Sequence, residues 1–274
     1  MTAKADLAAS IAARLLNRAK ATGEDHQTLL TSYCLERFLY RLGALDRRDR
    51  FVLKGAMLLR LWSDQPYRAT RDLDLLRRGD GAIEAIRAED EYAGTRASLH
   101  ARCGKARLTL QIDMGLGDAV WPEPQACIYP ALLDLPAPSV LAYPRETVVA
   151  EKLEAMVVLG DRNSRIKDFF DLHHLASRFE FDRATLTEAV RRTFERRRTP
   201  IPAEDPLGLT PAYWENPSRP AQVRAFARRA GLEVPAKPAE EFTRVLHAFL
   251  APVLESLRRG TKRGGTWRAG GPWR

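Results

Sequence analysis

Apolar positions recur with helical spacing at both ends of this chain and with strand-like alternation between them. Residues 5–20 place Ile11, Leu15 and Leu16 on one side and Arg14 and Arg18 on another, which predicts an amphipathic helix. A second helix is predicted over 26–43, where Leu30, Tyr33, Leu35, Phe38, Leu39 and Leu42 trace an apolar face and Gly43 supplies a stop. FVLKGAMLLRLW (51–62) opens as a buried strand and turns at Gly55 into a short helix. ATRDLDLL (69–76) reads as a strand, and RASLHARC (96–103) with ARLTLQIDMG (106–115) as a hairpin bending at Gly104. In that last strand Leu108, Leu110 and Ile112 share one face, so Asp113 joins Gln111 on the other.

From 118 to 144 six prolines (122, 124, 130, 136, 138 and 144) predict a loop leading to a helical second half. Helices are expected over 146–160, 167–179 and 182–198, a Pro-rich loop over 199–220, and further helices over 221–230 and 238–258. There is no internal repeat. The predicted class is α+β, with a small mixed sheet and flanking helices early and a helical bundle late. The expected division is an α/β domain over 1–140, a helical domain over 141–257 and a tail over 258–274.

Composition adds little to this: 274 residues, 45% hydrophobic and 29% charged, are ordinary for a soluble globular protein. No apolar run is long enough to cross a bilayer, and the N-terminal stretch lacks the features of a signal peptide. Cys34, Cys103 and Cys127 match no disulfide, zinc or redox spacing, which fits a reducing cytoplasm. The net charge of +9 suggests a polyanionic partner. Six positive charges lie in RRGTKRGGTWRAGGPWR (258–274) with no acid, leaving +3 for the rest. This Gly-rich tail is expected to be disordered, and Trp267 and Trp273 within it could stack on RNA bases. A solvated tail with no role is the plain alternative.

Three patterns carry chemistry. In a strand Asp72 and Asp74 stand side by side on one face, where two carboxylates repel unless a cation sits between them. Magnesium answers that need, since it takes oxygen ligands and bridges carboxylates to substrate phosphates. Asp113 could add a third carboxylate; a solvated face pairing with Arg68 and Arg71 would explain the first two equally. Gly55 lets a ligand approach the backbone where a helix begins, or serves packing alone. Lys152 sits among Val149, Ala150 and Leu153, and Asp168 and Asp171 share a helix face, so a phosphate-holding lysine and an interhelical salt bridge are both open. His173 and His174 read as ordinary helix residues.

In order and spacing, LERFLYRLG, FVLKGAMLL, RATRDLDLL, LQIDMGLGDAV, YPRETVVAEKLEAMVVLGDRNSRIKDFFDL and TFERRRTPIP resemble the AbiEii/AbiGii toxin family of nucleotidyltransferases. The resemblance runs from about residue 30 to about 230 and implies a nucleotidyltransferase-like fold. It implies Asp72 and Asp74, with Asp113, as metal ligands for Mg2+ or Mn2+, and NTP as co-substrate. Lys54, Gly55, Ala56, Thr70, Arg71 and Lys152 fall at the nucleotide, and Lys152, Asp168 and Asp171 join the two strand aspartates as catalytic residues. The implied reaction is transfer of an NMP to an RNA acceptor, with the tRNA 3′ end favoured, and the implied partner is an antitoxin of winged-helix repressor type. Gly55-Ala56 departs from the double glycine of many relatives, and RRGDGAIEAIRAED after Asp74 is short. The shortened segment keeps open a second reading, a weakened nucleotidyltransferase-like protein that binds RNA or an antitoxin without transfer. A small-molecule nucleotidyltransferase is a third.

Overall fold

A short apolar strand, β1 (Phe51–Lys54), lies inside a six-stranded mixed sheet and organises the first half of the chain. The structure, a computed structural model, describes residues 2–46, 48–63, 68, 70–79, 94–261 and 263–274. On one side β1 pairs antiparallel with β2 (Asp72–Arg77), which runs parallel to β4 (Ala106–Leu116). The hairpin partner of β4, β3 (Gly94–Cys103), closes that edge. On the other side β1 runs parallel to β6 (Ser139–Ala142), whose antiparallel partner β5 (Gln125–Ile128) forms the far edge. The order is therefore β3-β4-β2-β1-β6-β5.

One face of this sheet is apolar. Leu53, Leu73, Leu75, Leu108, Leu110 and Ile112 are all buried, as strand alternation requires. The helix α2 (His26–Gly43) packs there, with Leu39 and Leu42 lining a cavity shared with Leu53 and Leu75. Asp25 caps α2 by accepting from the Thr28 N–H at 2.8 Å, and α1 (Thr2–Thr22) lies against it. At the end of α2 a Cβ on Gly43 would fall on the Ser139 carbonyl oxygen, so glycine allows the close approach of the helix end to the backbone of β6. Both β5 and β6 lie in the stretch expected to be loop. Four-residue strands among prolines carry no period of their own; β6 is a strand because β1 offers it a pairing edge.

Contacts divide the chain into two units, residues 1–117 with 124–143, and residues 118–123 with 144–274. The second is helical: α4 (Arg145–Leu159), α5 (Ile166–Arg178), α6 (Arg183–Arg197), α7 (Arg219–Ala230) and α8 (Pro238–Arg258). The loop expected over 199–220 holds two 3₁₀ turns, Leu207–Leu209 and Pro211–Glu215. They deliver Tyr213 and Trp214 to a cluster with Phe169 and Phe242.

The tail corrects an expectation. Rather than being disordered, β8 (Thr266–Trp267) pairs with β7 (Phe181–Asp182). Trp267 is 1% exposed and donates its indole N–H to the Ala176 carbonyl at 2.7 Å. Trp273 stacks on Phe249 and donates to its carbonyl. A Gly/Arg-rich composition argues for disorder only when nothing apolar docks, and two indoles supply both area and a donor each. Packed this way, Trp267 is not available to stack on RNA bases.

Candidate active site

The polar face of the sheet carries a row of charges in register. Across β1, β2, β4 and β3 the aligned positions are Lys54, Asp74, Asp113 and Arg96. Asp72, two residues before Asp74, shares its face and is exposed, whereas Asp74 is half-buried. Leu73 and Leu75 between and beyond them are buried on the opposite face. That answers why carboxylates interrupt an apolar run: one side of the strand is buried at Leu73 and Leu75, while the other is chemical at Asp72 and Asp74 and buried again only at Leu76.

Gly55 completes this arrangement. Its φ is +73°, a conformation that L side chains rarely adopt, and a Cβ there would lie 1.9 Å from Oδ2 of Asp74. The turn after β1 thus brings bare backbone against the carboxylate. The following helix, α3 (Met57–Leu61), has five residues, so the helix N-terminus expected to favour phosphates contributes little macrodipole. Ala56 is its N-cap residue. Lys54 sits with Nζ 5.2 Å from the centroid of the Tyr143 ring. Thr70 buttresses the start of β2: its hydroxyl accepts from Asp72 N at 3.3 Å and donates to Asp72 O at 3.2 Å. Arg71 is exposed, and its charge helps hold the Asp25 carboxyl below the usual range, after the larger effect of the Thr28 hydrogen bonds.

Arg96 is the residue sequence reasoning missed. It donates to Asp113 in a fork, Nε to Oδ1 at 2.7 Å and a terminal nitrogen to Oδ2 at 2.9 Å. The signal was present, because the tight turn at Gly104 pairs Cys103 with Ala106 and so fixes Arg96 opposite Asp113. With Arg96 62% and Asp113 31% exposed, such a pair contributes only about 0–1 kcal/mol.

The side chains on this face bear on whether a divalent ion fits. Among the described residues no three His, Cys, Asp or Glu side chains are gathered as a preformed cation site. Asp113 has both oxygens turned to Arg96, while Asp72 and Asp74 share one face beside bare backbone. Two carboxylates side by side on one strand face fit magnesium, which completes its shell with water and substrate phosphates.

The second unit holds a separate cluster. Lys152 of α4 donates Nζ to Asp168 Oδ1 at 2.6 Å and to Asp171 Oδ2 at 2.9 Å, both on α5. Burial opposes the ammonium charge, but the two carboxylates outweigh it and hold the lysine above its usual range. Two of its three N–H donors are spent, leaving one for a ligand. Two residues on, Glu154 is buried and accepts from Arg197 at 2.7 Å and from the Thr199 hydroxyl at 2.6 Å. The EKLE segment therefore bridges α4 to α5 with its lysine and to α6 with its second glutamate.

A family model described as nucleotidyl transferase AbiEii toxin, type IV TA system, matches residues 37–248, more than half of the chain. The chain belongs to the AbiEii nucleotidyltransferase toxin family. The match takes in the Gly55 turn, both strand aspartates, Asp113 and the Lys152 cluster. Among solved structures, MenT4, a nucleotidyltransferase toxin from Mycobacterium tuberculosis H37Rv, is 18% identical with a TM-score of 0.50, covering 90% of this chain and 98% of that one. JHP933 from Helicobacter pylori is 14% identical with a TM-score of 0.44, covering 84% and 96%. A search of curated proteins gives no match. The likeness to MenT4 shows the fold. The shortened stretch that follows Asp74 in this AbiEii chain falls largely at 80–93, outside the described residues.

Proposed function

We propose that this AbiEii-family chain transfers a nucleoside monophosphate from an NTP to the 3′-terminal hydroxyl of tRNA, blocking aminoacylation and translation in the cytoplasm. The observation that carries this reading is the seat of Asp74 against the backbone of Gly55. A glycine forced by both φ and space, directly beside paired carboxylates, suits a phosphate that must approach closely.

Asp72 and Asp74 would hold Mg2+ or Mn2+, which when bound supplies charge neutralisation and alignment at the reacting phosphates. Everything else belongs to the chain. Gly55 leaves the room that the Asp74 carboxylate occupies against the backbone. Lys54 sets a positive charge in register with Asp74, placed to offset that of a triphosphate. Arg96 neutralises Asp113, and so weak a pair can open when a ligand competes for the carboxylate. Lys152, held protonated by Asp168 and Asp171, acts as a cation toward phosphate and not as a base. The acceptor hydroxyl attacks the α-phosphorus, the bond to the bridging oxygen breaks, and pyrophosphate leaves. An antitoxin of winged-helix repressor type is the proposed partner.

Incubation with tRNA, Mg2+ and each labelled NTP in turn is the test. Label is expected on tRNA with at least one NTP, and Asp72→Ala should cut the rate by about 10²-fold or more. No transfer, or equal transfer by the variant, would overturn the proposal. Transfer to a small acceptor without RNA would do so as well.

A further inference from the structure

Arg219, in the first turn of α7, is 3% exposed and has no buried carboxylate to answer it. Its terminal nitrogens donate to the carbonyls of Asn163 and Asp161, each at 2.6 Å, and its guanidinium lies 4.2 Å from the Tyr213 ring centroid. The Asp161 carboxylate is 3.8 Å away but 73% exposed. A guanidinium is costly to bury, and here it is spent on the backbone of one loop. The same loop is fixed again through Asn163, itself buried. The Asn163 carbonyl accepts from the Tyr213 hydroxyl at 2.7 Å, and its side chain accepts from Arg165 N at 2.9 Å.

This rigid loop holds its cations outward. Arg162 and Arg165, with Lys167 just inside α5, are exposed and have no ion-pair partner among the described residues. On α7, Arg224, Arg228 and Arg229 are likewise exposed and unpaired among the described residues, and the helix contains no acidic residue. Several other arginines of the second unit are paired: Arg191 with Glu188 and Glu195, and Arg197 with Glu154. Unanswered charge on a fixed loop and its anchoring helix is left for an external polyanion.

We infer that the 160–167 loop and the exposed face of α7 form a docking surface for the phosphate backbone of the RNA acceptor, with Arg219 as the positioning residue that fixes the loop. Charges spread over a loop and successive helical turns, where Arg224 and Arg228 stand about 6 Å apart along the axis, suit a polymer better than a single triphosphate. The inference rests on the tRNA reading above and deepens it.

The test measures binding of fluorescein-labelled bulk tRNA to the full chain at several salt concentrations, separately from nucleotide transfer. Arg162→Gln/Arg165→Gln and Arg224→Gln/Arg228→Gln are exposed changes whose folding is checked by circular dichroism. Each pair should weaken tRNA binding about tenfold and flatten the slope of log affinity against log salt by about one for every phosphate left without its cation. NTP affinity should stay at the parent value. Arg219→Met, which removes both donors to the loop carbonyls, should weaken tRNA binding several-fold while keeping the parent's salt slope, since the arginine itself touches no phosphate. Unchanged tRNA affinity in the paired variants would overturn the surface. So would a parallel fall in NTP affinity, which would make it a nucleotide site, or unchanged tRNA binding with lost antitoxin neutralisation, which would make it a protein interface. Because binding is read without turnover, failure of the surface and failure of the transfer reaction register in different measurements.

Discussion

At Gly55 a single methyl group tests the site more sharply than removal of a carboxylate. An alanine there must adopt φ near +73° and place its Cβ 1.9 Å from the Asp74 carboxylate oxygen. The backbone strain alone costs about 1–2 kcal/mol. The clash then pushes Asp74 away by something approaching an ångström, which for a positioned reacting group costs about 10²-fold in rate. Gly55→Ala is thus expected to lower thermal stability modestly and nucleotide transfer strongly, measured by melting and by the labelled-NTP assay. A variant with a lowered melting point but full activity would show that the glycine serves packing only. At this scale the sequence was legible where strand alternation decides orientation, as with Asp72, Asp74 and Asp113. It was silent on Asp113 being clasped, because Arg96 enters only through hairpin register.

The element that joins most of the second unit is α5. Its buried face carries Asp168 and Asp171 to Lys152, while His174 on the same helix is held down to about 4. Burial is the main cause; Arg178 and His173 add to it, and Asp171 opposes it. An unfolded histidine takes its proton near 6.5, so between pH 6.5 and 4 the unfolded chain binds a proton that the folded chain refuses. Stability from this group is therefore full above that window and lost as pH falls through it. Urea unfolding at pH 7 and pH 5 should show a lower midpoint at pH 5, and His174→Gln should reduce that difference. An identical pH dependence in the variant would remove His174 as its source. Long periodic helices such as α4, α5 and α8 were readable from apolar spacing. Strands β5 and β6 were not, since four residues show no period, β6 finds its partner β1 about 90 residues earlier in the chain, and β5 pairs only with β6.

For the whole molecule, the residues beyond α8 carry structural weight that composition concealed. Trp267 is enclosed by Phe249 and Trp273 and tied to α5 through the Ala176 carbonyl. Trp267→Ala is expected to cost about 3–5 kcal/mol in urea unfolding; a loss below about 1 kcal/mol would return the segment to the status of a passenger. The sequence placed the boundary between halves near residue 140, but it could not show that the chain crosses between units more than once. Residues 118–123 belong with the later helices, where Trp121 exchanges hydrogen bonds with the Thr147 hydroxyl and lies under Arg192, and the chain then returns to build β5 and β6. Such threading defeats dissection by gene truncation. A fragment ending at residue 143 carries Trp121 away from Thr147, and one beginning at residue 144 opens a gap beside Arg192. No single cut yields two whole halves, so each unit's share of the chemistry must be separated by point substitution in the intact polypeptide.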